Sequence, residues 1–382
     1  MLNFIKKAVN WVLNNLPGKK LLVFESSPAY ADNSRAVFDE MIRRNFQEKY
    51  RFIWFVSKPQ DLERKVEHVE FFLYPAVTPW NKLRQKWILL TAKAFISCNE
   101  TLPWYRRDQY AICLMHGAPM KDVYHHYRLP EKLDEIVGFS SYLMPIESKC
   151  HNFPLENSRL LGFPRNDILF TTKVDVHKLF DDVAFDKLIY WMPTYRQFEG
   201  SRLDLSSIAI PIIYNEEIAA RVNACAAENG VLVVLKPHPR QDMSRIHAMN
   251  LSHLKIITNN FLDGKGILNY ELMGKADAVL TDYSSTYYDY LLLDRPIGLC
   301  WDDYEEYEKR EGFVVDMPTV MAAGEKLYTA EDLCGFIERL ARGEDVLAAQ
   351  RRQVLDMIHD YQDDQSTNRV VDYITTKLEE NR

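Results

Sequence analysis

The apolar positions of this chain cluster into short runs set between longer amphipathic stretches. Lys20-Leu-Leu-Val-Phe-Glu25, Arg51-Phe-Ile-Trp-Phe-Val56, Ala94-Phe-Ile-Ser97 and Ala111-Ile-Cys-Leu-Met115 recur through the first half. Lys187-Leu-Ile-Tyr-Trp-Met192, Val231-Leu-Val-Val-Leu235, Lys255-Ile-Ile-Thr258 and Ala276-Asp-Ala-Val-Leu280 restart the pattern in the second. Runs this short and this apolar read as strands buried on both faces. The stretches between them, such as Arg35 to Phe46, carry helical spacing. Strands alternating with helices predict an α/β fold built on parallel, doubly wound sheets. Ligands of such sheets gather at the carboxyl ends of the strands.

A chain of 382 residues is long for one core, so two domains are expected. Thr171 to Asp186 has a polar, linker-like composition and sets the boundary. The expected layout is an amphipathic helix over 1–18, a first Rossmann-like domain over 19–175 and a second over 186–350. A helical segment over 351–382 crosses back over the first domain. In the N-terminal helix Leu2, Ile5, Val9, Val12, Leu13 and Leu16 share one stripe beside Phe4 and Trp11, with Lys6, Lys7, Lys19 and Lys20 around it. Such a helix either lies on an anionic membrane surface or packs on its own domain. It is too short to span a bilayer.

Charge sharpens this picture. Residues 1–165 hold 24 Lys and Arg against 17 Asp and Glu, a net +7, while the remainder holds 23 against 37, a net −14. The basic half suits an anionic partner such as lipid or phosphate. A nucleic-acid binder would show a denser basic patch, and none is expected here. The six cysteines form no CxxC pair and the histidines form no HExxH, so no metal site is expected.

Candidate chemistry sits at the predicted strand ends. Thr281-Asp-Tyr-Ser-Ser-Thr-Tyr-Tyr-Asp-Tyr290 follows a strand and opens a helix, so Asp282 to Thr286 form the turn and Ser284, Ser285 and Thr286 lie near the helix N-terminus. Free N–H groups there favour phosphate, and the same residues serve as plain caps. His116, followed by Gly117, ends another strand. It either takes a proton near neutral pH or bonds a backbone carbonyl. Lys121 reads as a phosphate donor or a solvated residue, and Arg165 in Leu160-Leu-Gly-Phe-Pro-Arg-Asn-Asp167 either holds substrate or structures the crossover between the domains. His125 and His126 point about 100° apart on a helix, which does not suit a metal pair. Arg196, after Lys187–Met192, is a candidate phosphate clamp or a surface ion-pair partner. Lys236-Pro-His-Pro239 places Lys236 and His238 between prolines directly past the strongest strand. No GxxxxGK[ST] occurs, and no GxGxxG follows a strand.

His116-Gly-Ala-Pro-Met-Lys, Gly162-Phe-Pro-Arg-Asn-Asp, Pro193-Thr-Tyr-Arg, Lys236-Pro-His-Pro and Thr281-Asp-Tyr-Ser-Ser…Asp294-Arg-Pro together resemble the CDP-glycerol glycerophosphotransferases of teichoic-acid synthesis. Phe24-Glu-Ser-Ser…Asp32-Asn33 is similar to that family's first-strand motif. The resemblance runs from about residue 20 to about 320, and the compact length resembles the members that add the first unit. It implies a GT-B architecture, two facing Rossmann-like domains with the site in the cleft between them. It implies transfer of glycerol phosphate from CDP-glycerol to an acceptor hydroxyl, with release of CMP and without metal or other cofactor. His116 would be the general base. His238, Arg196, Ser284 and Ser285 would hold the donor phosphates, aided by Lys236 and Thr286. Gly117, Lys121, Arg165 and Asp282 are further candidates. The implied partners are a CDP-polyol donor, a lipid-linked saccharide or polyol-phosphate acceptor and an anionic membrane, with the protein peripheral on the cytoplasmic face. Ala118 and the Lys-Pro-His-Pro spacer depart from the family pattern, which leaves CDP-ribitol or another polyol-phosphate donor as the alternative. A catalytically idle nucleotide-binding partner in a wall-polymer assembly is the alternative of another class.

Overall fold

A computed structural model describes residues 20–122, 128–194, 210–238, 241 and 243–380. The N-terminal helix over 1–18, His125, His126 and Arg196 lie outside the described residues.

The chain divides into two compact units. The first comprises residues 1–118, 125–167 and 363–382 and is built on a seven-stranded parallel sheet. Its strands are β1 (Leu21–Glu25), β2 (Arg51–Val56), β3 (Val69–Leu73), β4 (Ala94–Ser97), β5 (Tyr110–Cys113), β6 (Glu135–Gly138) and β7 (Ser158–Leu160), in the order β3-β2-β1-β4-β5-β6-β7. Helices α1 (Asp32–Arg43), α2 (Pro79–Thr91) and α3 (Met144–His151) connect them. Every residue of β1, β4, β5 and β6 is buried, which is why these strands read as runs rather than as alternation. Phe24, Phe38, Phe52 and Trp54 fill the core on one face, where Val370, Val371, Ile374 and Leu378 of the C-terminal helix Ser366–Glu380 join them.

The second unit comprises residues 119–124 and 168–362. Its six parallel strands are β8 (Lys187–Trp191), β9 (Val231–Leu235), β10 (Leu254–Ile256), β11 (Ala278–Thr281), β12 (Ile297–Cys300) and β13 (Glu325–Leu327), in the order β10-β9-β8-β11-β12-β13. Helices α4 (Glu216–Glu228), α5 (Thr286–Leu291), α6 (Tyr304–Glu311), α7 (Ala330–Ala341) and α8 (Ala348–Ile358) belong to it. Both sheets therefore reverse direction beside their first strand, between β1 and β4 and between β8 and β11. Such a reversal opens a crevice at the strand carboxyl ends where ligands bind. Among the described residues no helix is long and apolar enough to cross a membrane.

The units divide at Asp167 and Ile168, ahead of the boundary expected within 171–186. The Asp167 carboxylate accepts from the N–H groups of Ser366 (3.0 Å) and Thr367 (2.7 Å), so it caps the C-terminal helix within the first unit. Leu169 packs in the second, where a Cβ at Gly274 would meet its carbonyl oxygen at 2.5 Å. The stretch read as a linker holds the helix Val176–Leu179 and buried Phe180 and Phe185. The returning segment begins at Asp363 rather than 351. Helix α8 stays in the second unit because buried Arg351 pairs there with Asp294 (2.9 Å) and Asp345 (2.5 Å). Lys121, inside the first domain as expected over 19–175, belongs instead to the second unit through an antiparallel bridge to Phe313.

Candidate functional site

In the first unit the described chemistry lies past the ends of β1, β4 and β5. Glu25 closes β1 and is 4 % exposed. One of its carboxylate oxygens, Oε2, accepts three consecutive backbone N–H groups past β4, from Cys98 (3.2 Å), Asn99 (3.1 Å) and Glu100 (2.9 Å). Burial pushes the Glu25 carboxyl up to about 7 although these three bonds pull it down. The Asn99 side chain in turn accepts from Ser27 N–H (2.8 Å).

His116 lies just beyond β5 with its ring exposed. Its Nδ1 is 3.4 Å from the Cys98 carbonyl oxygen. A carbonyl only accepts, so Nδ1 is the donor in this contact, and in the neutral ring Nε2 is then the nitrogen with a lone pair to offer. The carbonyl bond and the proton-accepting role, set against each other in the sequence, are thus compatible. The backbone of this loop is braced from behind. Arg165, 5 % exposed, donates through Nη1 to the His116 carbonyl (2.6 Å) and to Asp32 Oδ1 (2.8 Å). Asn33, fully buried, donates to the carbonyls of Leu114 (3.1 Å) and Met115 (2.8 Å) and accepts from Arg165 N–H (3.0 Å). Arg165 therefore supports His116. Gly162 is held at φ +85, and a Cβ there would overlap Ser366 Oγ at 2.2 Å, so the turn leading to Arg165 requires glycine. Gly117 follows His116, half-buried.

In the second unit the reversal lies between β8 and β11. Asp282, fully buried, accepts from Thr194 N–H (3.0 Å) and Thr194 Oγ1 (2.9 Å), and Thr281 Oγ1 donates to the Met192 carbonyl (3.1 Å). Asp282 thus ties two strand ends together. The turn then presents its hydroxyls. Ser284 Oγ accepts from Thr286 N–H (3.3 Å) and donates to Thr286 Oγ1 (3.1 Å). Ser285 occupies the cap position of α5 yet makes no capping bond with its side chain. The capping role therefore falls to Ser284 and leaves the Ser285 hydroxyl available to a ligand. Next along the edge, past β9, stand Lys236 and exposed His238. Burial lowers the Lys236 pKa, and the nearby Asp263 charge opposes that shift. Tyr283 is buried in a ring cluster with Tyr307 (4.2 Å between centroids) and Phe313 (5.6 Å), and its hydroxyl donates to Asp303 (2.9 Å). Lys121 Nζ lies over the Tyr307 ring at 5.6 Å.

The structure thus groups His116, Gly117 and Arg165 on the first unit, and Lys121, Lys236, His238, Asp282, Ser284, Ser285 and Thr286 on the second. Sequence reasoning missed Glu25, Asn33 and Thr194 as site-forming residues. For Glu25 a signal was present, a carboxylate closing an otherwise apolar strand. Among the described residues no three His, Cys, Asp or Glu stand close enough to hold a metal ion.

The chain is 24 % identical over 373 residues to the teichoic acid poly(glycerol phosphate) polymerase of Bacillus spizizenii, covering 86 % of each chain. It is 24 % identical over 340 residues to the teichoic acid glycerol-phosphate transferase of Staphylococcus aureus, covering 80 % of each. The solved wall teichoic acid polymerase TagF superposes with a TM-score of 0.74 at 18 % identity, over 99 % of this chain and 97 % of that one. That likeness shows the fold, which is GT-B-like. The model of the CDP-glycerol:poly(glycerophosphate) glycerophosphotransferase family matches residues 7–376, nearly the whole chain, and the chain belongs to that family.

Proposed function

We propose that this protein transfers glycerol phosphate from CDP-glycerol to a hydroxyl of a lipid-linked acceptor, releasing CMP, in teichoic-acid or related cell-surface polymer synthesis. Family membership carries the reaction class. The observation that carries the mechanism is His116, exposed at a strand end with Nδ1 held by the Cys98 carbonyl and Nε2 left to accept a proton.

In this reading the acceptor O–H gives its proton to His116 Nε2 as its oxygen attacks the β-phosphorus. The bond from that phosphorus to the bridging oxygen breaks, and CMP leaves with the electron pair. Charge on the phosphoryl oxygens is met by Lys236, His238, Arg196 and the α5 turn with Ser285. Phosphoryl transfer gains chiefly from positioning and electrostatic stabilisation. The general base contributes roughly 10²–10⁴-fold. No metal has a part in the reading, so a chelator of divalent ions leaves turnover unchanged.

The acceptor is anchored in lipid, and one face of the first unit suits an anionic membrane. Helix α2 exposes Trp80 (74 %), Leu83 (60 %) and Trp87 (48 %), with exposed Lys82, Arg84 and Lys86 among them. Aromatics beside cations are the composition of an interfacial helix. Together with the amphipathic pattern of 1–18, this supports a peripheral protein at an anionic membrane surface. Trp80→Ser with Trp87→Ser weakens sedimentation with phosphatidylglycerol vesicles; unchanged sedimentation rejects that part.

The deciding assay is CMP release by the full chain from CDP-glycerol, with and without a lipid-linked acceptor, beside His116→Ala. Acceptor-dependent release lost in the variant supports the reading, and product length separates one addition from many. Release from CDP-ribitol alone changes the donor. Binding without release from either donor identifies an idle nucleotide-binding partner and overturns it.

A further inference from the structure

The bonds that converge on the turn after β4 assign a role to a residue that touches no candidate substrate group. Three successive N–H groups, of Cys98, Asn99 and Glu100, point at one oxygen of Glu25. The same turn supplies, through the Cys98 carbonyl, the acceptor for His116 Nδ1. The Ser34 hydroxyl donates to the Glu25 carbonyl (2.7 Å), and Ser34 N–H meets Cys98 Sγ (3.1 Å), so α1 packs against this arrangement from the other side.

We propose that Glu25 is a positioning residue, whose carboxylate gathers the 98–100 turn so that the Cys98 carbonyl holds the His116 ring in its Nδ1–H tautomer. The proposal rests on the reading of His116 as the base. A carboxylate suits the place better than an amide. It can accept all three N–H bonds, whereas the NH₂ of a glutamine would need acceptors of its own in a buried position. The groups that face it are acidic or thiol: Glu100 and Cys98 on the turn, Cys113 on β5, and Asp32 toward Cys98 from the start of α1. Among these neighbours no cation pairs with the carboxylate, so the grip of Glu25 on the turn is that of the three N–H bonds. Protonation of Glu25 weakens its oxygens as acceptors, so the hold slackens as pH falls through about 7.

The test is ¹⁵N NMR of the histidine-labelled full chain, with His116 assigned by His116→Asn, in wild type, Glu25→Gln and Glu25→Asp. Gln keeps the volume without the charge, and Asp keeps the charge without the reach, so either one that folds suffices. The wild type shows His116 as the Nδ1–H tautomer. In the variants that tautomer loses its predominance, and kcat for CMP release falls roughly tenfold or more with the KM for CDP-glycerol unchanged. A His116 tautomer that persists in either variant that folds overturns the proposal. If the tautomer shifts while His116→Ala retains full turnover, the positioning of the ring stands and the base reading fails.

Discussion

Glu147 offers a direct measure of what burial does in the first unit. It lies on α3 and is 3 % exposed, with Oε2 3.9 Å from the place a Cβ at Gly138 would take. Burial alone pushes its carboxyl from an ordinary 4.5 up to about 8. The folded protein therefore keeps a proton that the unfolded chain releases. Below pH 4.5 both states are protonated and nothing is lost. Between 4.5 and about 8 the native state binds more protons, so stability falls as pH rises, and above 8 the loss is complete. A rise from 4.5 to about 8 corresponds to a loss of about 5 kcal/mol across that window. Glu147→Gln removes the titration. Its buried amide costs something, but equally at every pH. Urea unfolding of both proteins from pH 5 to pH 8.5 is the assay, and the quantity read is the difference in unfolding free energy. That difference should move in favour of the variant by several kcal/mol as pH rises. Two curves that run parallel would refute the reasoning, because they would mean that Glu147 ionises in the fold as it does in water.

Four further outcomes are expected. Ser284→Ala, which loses the bond to Thr286 N–H, lowers stability by about 1 kcal/mol, whereas Ser285→Ala leaves the unfolding midpoint in place and raises the CDP-glycerol Kd roughly tenfold or more; calorimetry of binding and unfolding separates the two. Arg165→Lys shortens the side chain whose Nη1 serves the His116 carbonyl and Asp32 together, and kcat falls roughly tenfold or more in the CMP-release assay. Gly298→Ala places a Cβ 2.4 Å from Leu280 and 3.0 Å from Leu327 inside the second sheet, and thermal unfolding shows a cost of about 1–3 kcal/mol.

Much of the candidate site could be read along the chain because its residues lie where strands stop. His116, Lys236, His238 and the Ser284–Thr286 turn each follow an apolar run, and a run that ends in polar residues marks a carboxyl edge without further information. Their roles could not be read this way. Ser284 and Ser285 are adjacent and chemically alike, yet only the turn geometry makes one the cap and leaves the other open. Arg165 and Asp282 carry the same formal charges as phosphate clamps or catalytic acids do. Burial and partners make the first a brace for the His116 loop and the second a tie between β8 and β11.

The sequence by itself determined the fold class, the existence of two parallel sheets and the family. Each depends on local patterns, namely the length of apolar runs, helical spacing between them and motifs in a set order. Only the tertiary structure decided which unit owns Lys121, where the first unit ends, that Asp167 caps a helix two hundred residues further on, and that Glu25 grips the turn that orients His116. These depend on bonds between residues far apart in the chain. Whether a carboxylate is a cap, a tie or an anchor is set by the donors that folding brings to it and by the water that folding removes, and neither is written in its neighbours.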